Sequence, residues 1–190
     1  MTEQALQIIA EAPARFTAAD YCKMVGTGAF HKLAGGGGVE LDHGVIVRMN
    51  SVYVPHRAIQ SELVFALKLM TLEMPLTVIF EPSVELSEDT VREPDVAVTR
   101  KLTGKEDFVD GAVVLLAIEV GNDSLRYDLT RKAIDYAMAG IADYWVFDVK
   151  GRCVHLHTGP GPSGYASVAI LPFGAPLTAA CLPEPLTLAL

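Results

Sequence analysis

Residues 112–120 constrain the fold of this chain more than any other stretch. They read Ala-Val-Val-Leu-Leu-Ala-Ile-Glu-Val and stop at Gly121-Asn122. Such a run is too short to cross a bilayer. Its β-branched content suits a strand covered on both faces, as central parallel strands are. Residues 125–139 then carry helical spacing, with Gly140 placed as a left-handed C-cap. Residues 144–149 form a second apolar strand. Strand, helix and strand in that order predict a parallel crossover. The expected class is α/β, an α+β mixed sheet flanked by helices.

The remaining elements fit around that unit. Residues 17–25 read as a short helix, with Thr17 as N-cap and Asp20 three residues on. The run Gly35-Gly36-Gly37-Gly38 reads as a turn, because the Gly-Lys-Ser/Thr of a phosphate loop is absent. Residues 39–50 alternate around Asp42-His43-Gly44 and predict a hairpin. From His56 to Met70, Ile59, Leu63, Leu67 and Met70 recur at helical spacing, a core stripe closed by Pro75. Short strands are expected at 76–81, 84–86 and 95–99, and a hairpin partner at 152–158. The Gly- and Pro-rich tail allows short strands near Ser167 and Leu186. No repeat or linker divides the chain. One domain over 1–190 is expected, with its core at about 16–158 and an N-terminal helix and the tail appended.

Composition narrows the functional classes. The net charge of −8 argues against a general nucleic-acid coating protein, which would be basic. A metal-dependent site remains compatible, because it gathers carboxylates whose charge the bound ion reverses locally. Cys22, Cys153 and Cys181 are far apart and form no C-x-x-C, which suggests reduced thiols in a cytoplasmic protein. No membrane span is expected, and the N-terminal residues lack the basic region of a secretory signal.

Two acids interrupt apolar strands. Asp95 opens one, in Glu-Pro-Asp-Val-Ala-Val, and Glu119 closes another, in Leu-Ala-Ile-Glu-Val. An ionised carboxylate is costly to bury unless it is paired or binds a metal. Taken singly, each could cap its strand or meet a surface arginine. Taken together at adjacent strand ends they would repel, and a divalent cation such as Mg²⁺ or Mn²⁺ would resolve both costs. Lys132, on the helix after Glu119, is the candidate cation, although its i, i+4 spacing from Asp128 equally suits a surface pair. His155 and His157 share one face of a strand and read as surface histidines lacking a third ligand. Ser124 and His56 lack the Gly-x-Ser-x-Gly elbow of a nucleophile pair.

Read together, Glu40-Leu-Asp-His-Gly, Pro94-Asp95-Val-Ala-Val, Ile118-Glu119-Val120, Ser124, Asp128, Lys132, Tyr136 and Gly140-Ile-Ala-Asp-Tyr-Trp-Val-Phe-Asp148 resemble the bacterial Uma-type restriction endonuclease family, a branch of the PD-(D/E)XK nucleases. The resemblance runs from about Phe16 into the tail. It implies a restriction-endonuclease-like core with Asp95 and Glu119 as metal ligands, joined by the Val120 carbonyl. Gly121 stands where the usual lysine would follow the second acid, so the resemblance assigns that role to Lys132. Glu40 matches the family's early acid, which reaches the metal through water, and Glu62 is the runner-up. His56, Ser124 and Asp128 are accessory candidates. The chain has Asn122-Asp123-Ser124 where the family often shows Ser-Pro-Ser, which loosens the turn and adds a charge.

These readings predict a Mg²⁺- or Mn²⁺-dependent endonuclease, with DNA the expected nucleic acid. Hydrolysis leaving a 5′ phosphate is what the resemblance implies, with Arg126 and Arg131 as backbone contacts. A homodimer would suit two-strand cutting. The alternatives are a nuclease fold that binds nucleic acid or protein without cutting, and a hydrolase of other phosphodiesters.

Overall fold

The computed structural model describes residues 14–30, 38–49 and 53–190. Glycines 35–37 of the predicted turn lie outside them. The first helix, α1 (Ala18–Gly26), opens with a capping box: Thr17 Oγ1 accepts from Asp20 N, and Thr17 N donates to the Asp20 carboxylate. The hairpin β1 (Val39–Asp42) and β2 (Val45–Arg48) turns through His43 and Gly44, both at positive φ. Helix α2 (Val54–Met70) follows. It ends at Thr71, before Pro75, which instead leads into β3 (Leu76–Phe80).

The strands form two sheets rather than one. The first has five strands: β2, β1, β5 (Thr90–Arg92), β4 (Val84–Ser87) and the short β7 (Val109–Asp110). The second has six, in the order β11 (Gly164–Pro172), β10 (Cys153–Gly161), β9 (Asp143–Asp148), β8 (Val114–Gly121), β6 (Val96–Arg100), β3. β8 and β9 are parallel and the other neighbours in this sheet antiparallel, so the sheet is mixed. Between β8 and β9 runs one helix, α3, made of Leu125–Tyr127, the π-helical Asp128–Lys132 and Ala133–Met138. The expected crossover is therefore present.

Two cores cover the larger sheet. On one face α2 packs Ile59, Leu63 and Leu67 against Val96, Val98, Leu116, Ile118 and Trp145. On the other, α3 packs Ala133, Tyr136 and Ala137 against Ala97, Ala117, Tyr144 and Val146. Both faces of β8 are thus buried, as its continuous apolar sequence requires. The segment after 158 is more than an appended tail. It contributes β11, nine residues long, and the buried Leu177, Leu186 and Leu188. Pro172 is tolerated because β11 is an edge strand.

The chain passes from the small sheet to the large one at Glu93-Pro94-Asp95, between β5 and β6. This junction positions the site.

Candidate metal centre

Val96 pairs with Ile118 across the antiparallel β6 and β8. Extending that register by one residue sets Asp95 opposite Glu119, so the two acids of the sequence reading meet at one end of the sheet. Both are buried, at 8% and 5% exposure. Asp95 is held from three directions. Its Oδ2 accepts from Val120 N at 2.6 Å, Gln60 Nε2 donates to Oδ1 and to the backbone carbonyl, and His56 Nε2 lies 3.0 Å from Oδ1. His56 and Gln60 stand one turn apart on α2 and face the sheet together. His56, whose part the sequence left open, is therefore in direct contact with Asp95.

Lys132 reaches the same place from α3. Its Nζ lies 2.9 Å from Glu119 Oε1 and 3.0 Å from Glu40 Oε1, but 4.0 Å from Asp128. The i, i+4 pair is thus buried rather than at the surface, and it is the longest of the three contacts. Asp128, Lys132 and Tyr136 share one helix face, and Tyr136 Oη also donates to Glu119 Oε1, at 2.9 Å. Gly121, at the position where the usual lysine would stand, is packed closely against the start of α3. A Cβ at that position would stand 3.1 Å from Leu125 Cα and 3.1 Å from Asp128 Oδ2. A side chain there would require Leu125 or Asp128 to give way, so the place two residues after Glu119 is crowded.

Behind Lys132 lies a second cation that the sequence reading did not single out. Arg92, on β5, is fully buried and bonds Glu40 at 3.1 Å, Asp42 at 2.7 Å and Asp135 at 2.6 Å. Its guanidinium also lies over the Tyr127 ring. Glu40 Oε1 takes the Glu93 N–H in addition to Lys132. Both Glu40 oxygens are therefore engaged by protein groups, and the residue lines the same cleft as Asp95 and Glu119.

The electrostatics follow from one ammonium serving several acids. Burial works to raise Glu40, but Lys132, Arg92 and the Glu93 N–H outweigh it and hold it below the usual range. Burial raises Glu119 well above its ordinary value, and Asp128, Asp95 and Glu40 add to the rise against the pull of Lys132. Burial likewise raises Asp128. Burial alone would lower Lys132, yet Glu119, Glu40 and Asp128 reverse this and hold it well above its ordinary value. Because Lys132 also bonds the ionised Glu40, we take the ammonium as charged. Glu119 is then the acid whose ionisation is costly.

This donor set fits a hard divalent cation. It offers carboxylate oxygens on adjacent strands, and Asp128 Oδ1 is buried with no hydrogen-bond partner. A Mg²⁺ ion accepts one or two carboxylates and keeps several waters, and the acids open on a cleft of about 610 Å³. The site is not a closed cage. Among the described residues, sets of three ligand atoms within 4.8 Å of one another occur elsewhere, at Asp42–His43–Asp135 and at Asp148–Cys153–His155. The first already holds Arg92.

The other predicted residues divide. Ser124 lines the cleft and donates to Asp128 Oδ2 at 2.7 Å. Glu62 is exposed on α2 and does not line the cleft, and Gln60 faces Asp95 in its stead. Arg126 and Arg131 are both exposed, with Arg131 3.4 Å from Asp42. His157 is a correction: it is buried beside Tyr144 and Tyr165 rather than at the surface. His155 has neighbours in Cys153 and Asp148 that the sequence did not suggest.

The chain matches known proteins in two ways. The family model Uma2, described as a putative restriction endonuclease, matches residues 28–190. Among solved structures, a protein described as a putative nuclease belonging to DUF820 from Anabaena variabilis ATCC 29413 superposes with a TM-score of 0.62 at 17% identity, covering 75% of this chain and 81% of that one. That likeness shows the shared fold. No curated protein matches the chain. Among the described residues, no helix is long and apolar enough to cross a membrane.

Proposed function

Since the chain belongs to the Uma2 family of putative restriction endonucleases, we propose that it is a metal-dependent endonuclease acting on DNA. One observation carries this reading: Asp95 and Glu119 line one cleft at the ends of adjacent strands, with the Lys132 ammonium 2.9 Å from Glu119.

Asp95, Glu119 and the Val120 carbonyl would hold Mg²⁺ or Mn²⁺. Bound there, the cation would supply Lewis-acid activation of a phosphate oxygen and of water. The chain's own residues do the rest. His56 and Gln60 fix the Asp95 carboxylate, so the ligand is preorganised before a cation arrives. Glu40 and Arg92 fix Lys132, whose ammonium steadies the attacking water or the negative charge that grows on the phosphate. Ser124 orients Asp128 at the cleft wall. Arg126 and Arg131 are proposed to contact the nucleic-acid backbone, where they would position the strand without reading its sequence.

The test is Mg²⁺- or Mn²⁺-dependent cleavage of plasmid and of single-stranded DNA by the purified full chain. We expect cleavage that requires the ion and is lost in Asp95→Ala and Glu119→Ala. Binding of DNA without cutting at any ion concentration would favour the silent binding module. Turnover of small phosphodiesters alone would favour the other hydrolase.

A further inference from the structure

We propose that Cys153, His155 and Asp148 form a second metal site, for a borderline-soft transition ion of the Zn²⁺ class, at the turn joining β9 to β10. The site is separate from the carboxylate cleft and does not depend on the nuclease reading.

The strand geometry builds it. Cys153 and His155 are two apart on β10 and project from the same face. Cys153 pairs with Asp148 across the antiparallel ladder, which brings the carboxylate to that face as well. One ligand atom from each of the three residues lies within 4.8 Å of the others. Cys153 Sγ and His155 Nε2 are 3.8 Å apart. Bonds of about 2.3 Å to sulfur and about 2.0–2.1 Å to nitrogen at a tetrahedral angle would separate the two ligand atoms by about 3.6 Å. The sulfur and nitrogen are therefore spaced as two ligands of a single ion are.

The chemistry selects the ion. A thiolate, an imidazole and a carboxylate suit Zn²⁺ and not Mg²⁺, which takes oxygen ligands. All three residues are half-buried, so the site is reachable from solvent, and three protein ligands leave a fourth position open. The turn is already shaped around one of the ligands. Asp148 Oδ1 accepts from Gly151 N at 2.7 Å, and Arg152 adopts a positive φ of 50° beside it. An ion would tie the two strands together next to Val149, which lines the catalytic cleft.

Cobalt(II) titration of the full chain tests this directly, because a thiolate ligand gives a sulfur-to-cobalt charge-transfer band that an all-oxygen site cannot. We expect one equivalent of Co²⁺ to produce that band and Zn²⁺ to displace it. Cys153→Ser should abolish the band. His155→Ala should weaken binding by more than the about 10- to 100-fold that outer partners of a metal site cost. Cys22→Ser, Cys181→Ser and Asp95→Asn should keep the band, the last showing that the cleft is not its source. No thiolate band in the wild type, or a band that survives Cys153→Ser, would overturn the proposal.

Discussion

Lys132 Nζ lies 2.9 Å from Glu119 Oε1 in a buried ion pair between α3 and the strand that precedes it. Glu40 shares the same ammonium at 3.0 Å. Removing one partner of such a pair leaves a charge without compensation in a medium that solvates it poorly. Lys132→Met should therefore lower the unfolding free energy by about 3–5 kcal/mol, read from urea denaturation. Adding Glu119→Gln to that variant should recover part of the loss while leaving cleavage abolished. Recovery of cleavage in the double variant would contradict the assigned roles.

Asp42 sets an acid limit on stability. Burial works to raise its carboxyl, but His43, Arg92 and Tyr127 outweigh it and lower its pKa from 3.8 to about 2. A folded-state pKa below the unfolded one contributes stability above the unfolded value, and the contribution is lost as pH falls through the folded one. Wild-type stability should thus drop between pH 3.8 and about 2. Asp42→Asn should be less stable at neutral pH and show a shallower drop in that window. Urea midpoints measured across the range check this.

Gln60 and Glu62 lie two residues apart on α2 and should behave oppositely. Gln60 is fully buried and donates to both the Asp95 carboxylate and its backbone carbonyl. Gln60→Leu should cost about 1 kcal/mol of stability by removing a buried donor from Asp95, whose carbonyl keeps the Glu81 N–H and whose Oδ1 keeps His56. It should also weaken Mg²⁺ binding at Asp95 by about 10- to 100-fold, measured calorimetrically. Glu62→Ala, at an exposed position, should change stability by no more than about 0.5 kcal/mol and leave cleavage intact.

The contrast between these two residues shows what the sequence could and could not reveal. The meeting of Asp95 and Glu119 was legible because charge inside apolar strand patterning is costly and therefore informative, whereas Lys132 was singled out by the family resemblance, its spacing from Asp128 equally suiting a surface pair. The β8–α3–β9 unit was legible for a similar reason, since few architectures bury both faces of one short strand. Glu62 was a poor candidate by phase. His56, Gln60, Leu63 and Leu67 are spaced 4, 3 and 4 along one helix face, and Glu62 lies roughly 200° around from Gln60. That spacing was available as a signal. Arg92 was not: it sits in a three-residue strand, and its partners Glu40, Asp42 and Asp135 come from both sides of it in the chain. Only the meeting of two sheets with α3 defines that cluster. β11 was legible only as a short strand near Ser167, because its glycines and prolines read as loop, whereas its full length is fixed by an eight-pair ladder with β10.

Crystals soaked in Mn²⁺ and measured at the manganese absorption edge test the central claim most directly. The account predicts an anomalous peak between the Asp95 and Glu119 carboxylates, absent in Asp95→Ala crystals. Strong peaks elsewhere with none at that pair, or a peak that persists without Asp95, would contradict it.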